Sequence, residues 1–252
     1  MDIKALQLES RFSLPPNSLG YCGRNTAAAK FKRCMISGDC AGVEDEVKKF
    51  IVFYPYLKTI ATITNLPIFS HEVIEAYWIG NRLLKKAKPS HYDLLLQNFK
   101  DQGVPDFFIE ELRQKQPKVF IPNHLFQVLH VGVGKASGAV PFNLHSINQC
   151  MIRWGKVEKI MDSKIVLNLH SLKEKQSPER SRFTTPFRWP NGLLKGELYK
   201  IVKTMPFNLK LVAGLKEGDT VAVHWNIVIK ILTETEEKNL LFWTKEVLRS
   251  LN

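Results

Sequence analysis

The feature that most constrains this chain is a change of hydrophobic period at Cys150. Before it, apolar residues recur every three or four positions, and after it β-branched and alternating runs take over. The first part reads as helices: Asn25 to Ile36, alanine-rich and stopped by Gly38; a run capped by Asp39 through Val43, Val47 and Ile51; and Tyr54 to Thr64. Ser70 is placed to cap a longer helix from His71 to Lys86, whose apolar face holds Val73, Ile74, Tyr77, Trp78 and Leu84. Tyr92 to Phe99 and Asp106 to Gln116 complete a helical bundle. Arg11 to Gly23 is expected instead to be an ordered loop that places Cys22, because Pro15 and Pro16 lack amide donors and Gly20 and Gly23 invite tight turns.

Beyond Cys150 the runs Met151 to Ile160, Lys164 to Leu169, Leu198 to Thr204, Leu209 to Ala213 and Thr220 to Ile231 predict strands of a small closed barrel. Thr233 with Glu236 forms a capping box for a final helix striped by Leu240, Leu241 and Leu248. The chain therefore reads as α+β, a helical domain over 1–140 joined by a glycine-containing connection to a β domain over 141–252. A basic insertion, Ser171 to Gly196, interrupts the barrel with Lys173, Lys175, Arg180, Arg182, Arg188 and Lys195. It suits an exposed loop, a docking hairpin or a tolerated surface insertion.

With 252 residues and 44% hydrophobic content the chain can bury a substantial core. No run of about eighteen apolar residues occurs, and Met1 to Leu14 lacks the pattern of a signal peptide, so a soluble cytoplasmic protein is expected. The four cysteines, Cys22, Cys34, Cys40 and Cys150, contain no CxxC pair; neither a zinc ribbon nor a thioredoxin motif is indicated, and reduced thiols are expected. A net charge of +12 attracts nucleic acid, an acidic protein or a membrane surface, or it simply solubilises helix faces.

Two stretches carry the chemistry. Gln149-Cys150-Met151-Ile152-Arg153-Trp154-Gly155-Lys156-Val157 opens the β half, and Lys216-Glu217-Gly218-Asp219-Thr220-Val221-Ala222-Val223-His224-Trp225 answers it some seventy residues later, before the final helix. Together they resemble the small hydrogenase-maturation chaperones of the HypC/HupF type. Cys150, Gly155, Lys156 and Val157 match in spacing, with Trp154 in the place of a proline, and Gly218, Asp219, Val221, Val223 and His224 match in order. The resemblance implies an OB-like barrel. It also implies that Cys150, with His224, holds an iron-centred precursor transiently and passes it between a maturation scaffold protein and the precursor of the hydrogenase large subunit. In those chaperones the cysteine is N-terminal and offers its amine beside the sulfur. Cys150 is internal, so either its thiol alone suffices or the helical half supplies what is missing; Cys22, His124 and His130 are the available donors. Arg11 to Gly23 and Glu75 to Asn81 also look like an uncharacterised bacterial family known only as a domain of unknown function, over nearly the whole chain.

Enzymatic motifs are absent: there is no GxSxG, P-loop, GxGxxG, HExxH or DxDxDG. Cys150 and His224 could be pictured as nucleophile and base, but no third orienting group or oxyanion motif accompanies them. An accessory chaperone is therefore expected rather than an enzyme. The alternatives are an interaction module without metal and a basic barrel that binds RNA.

Overall fold

The computed structural model describes residues 2–23, 26–134, 138–174, 196–208 and 212–251. The first part is helical: α1 (Ile3–Ser18), α2 (Ala27–Ser37), α3 (Val43–Val47), α4 (Phe53–Thr64), α5 (His71–Trp78), α6 (Tyr92–Asp101) and α7 (Asp106–Gln114). Next come α8 (His124–Phe126), which runs into a π-helical turn over Gln127–Gly132, and α9 (Leu144–Cys150). Strands β1 (Arg153–Met161), β2 (Lys164–Glu174), β3 (Gly196–Pro206), β4 (Thr220–His224) and β5 (Ile227–Ile231) form one antiparallel sheet in the order β3-β2-β1-β4-β5, and α10 (Glu234–Ser250) follows. The fold is α+β.

Local signals explain most boundaries. Gly38, at φ 75°, ends α2 in the left-handed conformation, the Ser70 hydroxyl accepts from Val73 N to start α5, and Thr233 and Glu236 cap α10 reciprocally. Cys150, expected at the mouth of a strand, is the last residue of α9.

Four expectations are corrected. The sheet is not closed: β3 and β5 are edges with no ladder between them among the described residues, so the hydrogen-bonded circuit that a barrel requires is not completed. Thr220 to Ile231 is two strands, not one, joined by a two-residue turn in which Trp225 (φ 50°) and Asn226 (φ 59°) are both left-handed without being glycine. The helix from Ser70 stops at Trp78 and not at Lys86. Gly80, at φ 89°, turns the chain where a Cβ would stand 2.3 Å from the Trp243 ring. Finally, Arg11 to Ser18 is helical, since α1 continues through Pro15 and Pro16. The Leu209 to Ala213 run lies mostly outside the described residues, and its described part, Val212 and Ala213, is not strand. The body of the basic insertion, 175–195, lies outside them too, while 171–174 belong to β2.

Two apolar cores lie on the two faces of the sheet. The larger runs from Ala5, Leu6 and Phe12 of α1 through Trp78 to Trp154, Ala222, Trp243 and Val247, so it crosses the boundary expected at 140/141. The smaller is built by Val157, Leu167, Leu169, Met205, Val221, Val223 and Val228. At Gly155 the β1 and β2 backbones approach so closely that a Cβ would meet Asn168 O at 2.5 Å. A disulfide joins Cys34 to Cys40 across the turn after α2; Cys22 and Cys150 are the free thiols, so the expectation of reduced cysteines holds for these two only. Among the described residues no helix is long and apolar enough to cross a membrane.

Candidate metal centre

Three donors from three places in the chain converge in the larger core. His124 comes from the first turn of α8, which Asn123 caps by accepting from Phe126 N at 2.9 Å. Cys150 ends α9, and His224 ends β4. One ligand atom of each lies within 4.8 Å of the others, and all three residues are buried. Cys150 Sγ is 3.9 Å from His124 Nε2. In a tetrahedral site with metal–sulfur about 2.3 Å and metal–nitrogen about 2.0 Å, sulfur and nitrogen stand about 3.5 Å apart, so a modest contraction would seat a first-row metal.

The state of His224 is set by α1. An amide at position 16 would normally bond the carbonyl of residue 12, but Pro16 has no N–H and its ring crowds that carbonyl outward; Pro15 removes the next candidate donor as well. The Phe12 carbonyl, left without a helical partner, accepts from His224 Nδ1 at 2.7 Å. Nδ1 therefore carries the ring proton. Nε2 is left as a bare lone pair, buried and without a hydrogen-bond partner. Burial holds the ring's pKa well below the ordinary value, and His124 beside it adds to the effect, so His224 is neutral.

His124 is less simply placed. Its Nε2 lies 2.8 Å from the Cys150 carbonyl, to which it can only donate. Its Nδ1 then accepts from the Tyr77 hydroxyl at 3.0 Å, while Gln127 Oε1 competes for that single phenolic proton. A cation on Nε2 would resolve the competition at Tyr77, since Nδ1–H would donate to Tyr77 and Tyr77 to Gln127, while the Cys150 carbonyl would give up the N–H it now accepts. Turning the Gln127 amide over balances the neutral network instead. Burial depresses the His124 pKa to about 4, so the doubly protonated ring does not form near neutrality.

Around these donors the walls are aromatic. The Trp78 ring lies 4.5 Å from that of His124 and 5.7 Å from that of His224, and its Nε1–H is held by the Glu9 carboxyl at 2.7 Å. Glu9 is itself buried and also accepts from Ser13; desolvation lifts its pKa to about 7. Burial raises the Cys150 thiol well above its ordinary range, and the nearby Cys22 thiol adds to this. The Trp225 indole N–H favours the thiolate without completing a hydrogen bond to it. The resting site is therefore a neutral thiol with two neutral imidazoles, and a metal would displace the thiol proton on binding.

Of the five residues marked in the sequence, Cys150, His224 and His124 meet. His130 does not: six residues beyond His124, it leaves the π-helical turn in another direction and bonds Tyr92 Oη at 2.8 Å. Cys22 is outside the three-donor group; its carbonyl accepts from Asn17 Nδ2 at 2.8 Å, and burial raises its thiol to about 11. Sequence reading missed Tyr77 and Trp78, assigned simply to an apolar face, and the Phe12 carbonyl. A proline pair inside an amphipathic segment was the available signal for the last.

Comparison with known proteins adds one finding. A family described as "Family of unknown function (DUF6390)" matches residues 2–252. This chain belongs to that family. No curated protein and no solved structure matches the chain. The DUF6390 match spans both the helices and the sheet, so all three donors fall inside the family's extent.

Proposed function

We propose that His124, Cys150 and His224 bind a transition metal, and that the protein serves as an accessory carrier in nickel-iron hydrogenase maturation. In this role it would hold an iron-centred precursor on its way from a scaffold protein to the large-subunit precursor. The observation that carries the metal reading is the buried, partnerless lone pair of His224 Nε2 beside a thiol and a second imidazole. Burying an acceptor with nothing to accept is costly, and a cation removes that cost. One soft sulfur and two imidazoles suit iron, copper or zinc and leave coordination positions open, as a transferable cargo needs. The iron identity and the hydrogenase role rest on the resemblance of Gln149 to Val157 and Gly218 to Trp225. His124 takes the part of the missing amine.

The competing reading is a metal-free interaction module in which the histidines are core structure; the His124 to Cys150 carbonyl bond favours it. Anaerobic purification after co-expression with maturation partners, with metal quantification and infrared spectroscopy, separates the two. Near-stoichiometric metal with cyanide and carbonyl bands is expected from the wild type, and both should be lost in Cys150→Ala. Metal without those bands would retain the site and remove the hydrogenase role. A metal-free wild type, or a Cys150→Ala protein that keeps its metal, would remove both.

A further inference from the structure

A second buried polar cluster lies across the sheet from the histidines. Arg153 pairs in register with Val223, and His224 is the next residue, so strand alternation sends the two side chains to opposite faces. Arg153 is only 2% exposed. Its Nη2 donates to Asn226 Oδ1 at 2.8 Å and to Gln149 Oε1 at 3.3 Å, while its Nε–H is buried with no partner. From β3, Lys203 lies opposite Leu167 and sends its Nζ to the same Asn226 Oδ1 at 2.9 Å. Two cations thus share one neutral amide oxygen. Among the described residues neither has a carboxylate within ion-pair distance.

A guanidinium taken out of water without a counter-charge is strongly disfavoured, and burial lowers the Arg153 pKa to about 10, with Tyr199 partly offsetting. Lys203 and Asn226, the neighbours of Arg153 in the cluster, are partly open to solvent. We propose that Arg153, Lys203 and Asn226 form a binding site for a carboxylate. One carboxylate oxygen would accept the free Nε–H of Arg153, and the other would replace the Asn226 amide oxygen between the two cations. A carboxylate fits better than a dianion: the guanidinium edge is planar, it is the only fully buried charge here, and Lys203 keeps part of its hydration. The carboxylate can be a free small acid or a glutamate side chain of a partner polypeptide. This site stands whether or not the histidine cluster holds metal.

The test uses the full chain labelled with 15N. Sodium acetate is titrated against sodium chloride at equal ionic strength, and acetyl-Gly-Glu-Gly-amide against its glutamine counterpart. A saturable shift of the Arg153 Nε–H resonance with acetate and not with chloride is expected, with a rise in the thermal midpoint. Tenfold tighter saturation by the glutamate peptide identifies a polypeptide as the source, and equal or tighter saturation by acetate identifies a small acid. An Asn226→Asp variant places a carboxylate between the same cations at a left-handed position that aspartate tolerates, so it should fold and lose the acetate response at least fivefold. No saturable shift, an equal response to chloride, or a wild-type response in Asn226→Asp would overturn the site.

Discussion

One face of β1 and β4 carries an unpartnered buried lone pair, His224 Nε2; the other carries an unpartnered buried proton, that of Arg153 Nε. Both residues are basic, and composition alone would file them together. Their surroundings separate them. The Phe12 carbonyl takes the one proton His224 can give, so the imidazole becomes an acceptor in search of a cation. Arg153 has five N–H groups and only neutral amide oxygens to receive them, so it remains a donor in search of an anion. The sign of the unmet hydrogen bond, more than the residue type, indicates which ligand each face is suited to.

The largest expected effect breaks both clusters together. Gly155 lies on the strand that separates them, and in Gly155→Val the new side chain would collide with the β2 backbone at Asn168. Overpacking typically costs about 1–3 kcal/mol, and a backbone obstacle puts this variant at the top of that range or above. Denaturant unfolding should show the loss, and an undiminished midpoint would mean that β1 and β2 are not so closely apposed.

Pro16→Ala sharpens the contrast by acting on one face only. Restoring an amide at position 16 draws the Phe12 carbonyl back toward the helix axis and loosens its hold on His224 Nδ1. Metal affinity should fall about tenfold, the range seen when a group that orients a metal-ligating histidine is lost. Stability should stay level or rise, because a proline inside a helix costs about 3 kcal/mol. The acetate response of Arg153 should not change. The 15N shifts of the His224 ring report the tautomer directly even without metal. A ring already protonated at Nε2 in the wild type would refute the assigned role of Pro16.

A smaller effect follows from pH. His124 and His130 are held near pKa 4, against 6.5 for an ordinary histidine, and burial holds His224 well below its ordinary value too. As pH falls from 6.5 to 4 the unfolded chain takes up protons that these rings refuse in the folded state, so their contribution to stability is lost across that window. Glu9 opposes them: its folded pKa of about 7, against an ordinary 4.5, makes its contribution greatest below pH 4.5 and lost as pH rises to 7. Three groups outweigh one, so the urea midpoint should drop on acidification from pH 6.5 to 4, and more steeply in Glu9→Gln. A midpoint that rises instead would place the histidines in water. The Arg153 cluster does not titrate in this window.

Helix and strand types were legible wherever local chemistry decides them: the Gly38 stop, the Ser70 and Thr233 caps and the change of period at Cys150. Cys150 and His224 could be marked because each ends a recognisable stretch, and His124 could be named as a donor. Their convergence could not be read, because it depends on α8, α9 and β4 packing on one another. The proline pair was misread for a related reason. Local rules say that two missing donors break a helix, and here a histidine 212 residues away takes the carbonyl they release. The Trp225-Asn226 turn carried no glycine to announce it. Arg153 read as one more strand residue, although an arginine between the apolar Ile152 and Trp154 was a visible oddity.

The bond between Phe12 and His224 also has a consequence for the order of events during synthesis. α1 leaves the ribosome well ahead of β4, which emerges only after more than two hundred further residues have been added. Until then Phe12 has no imidazole to hold, and His124 and Cys150 are two donors without a third. A nascent chain that has not yet made β4 therefore holds an incomplete donor set, and the three side chains can meet only once that strand is in place.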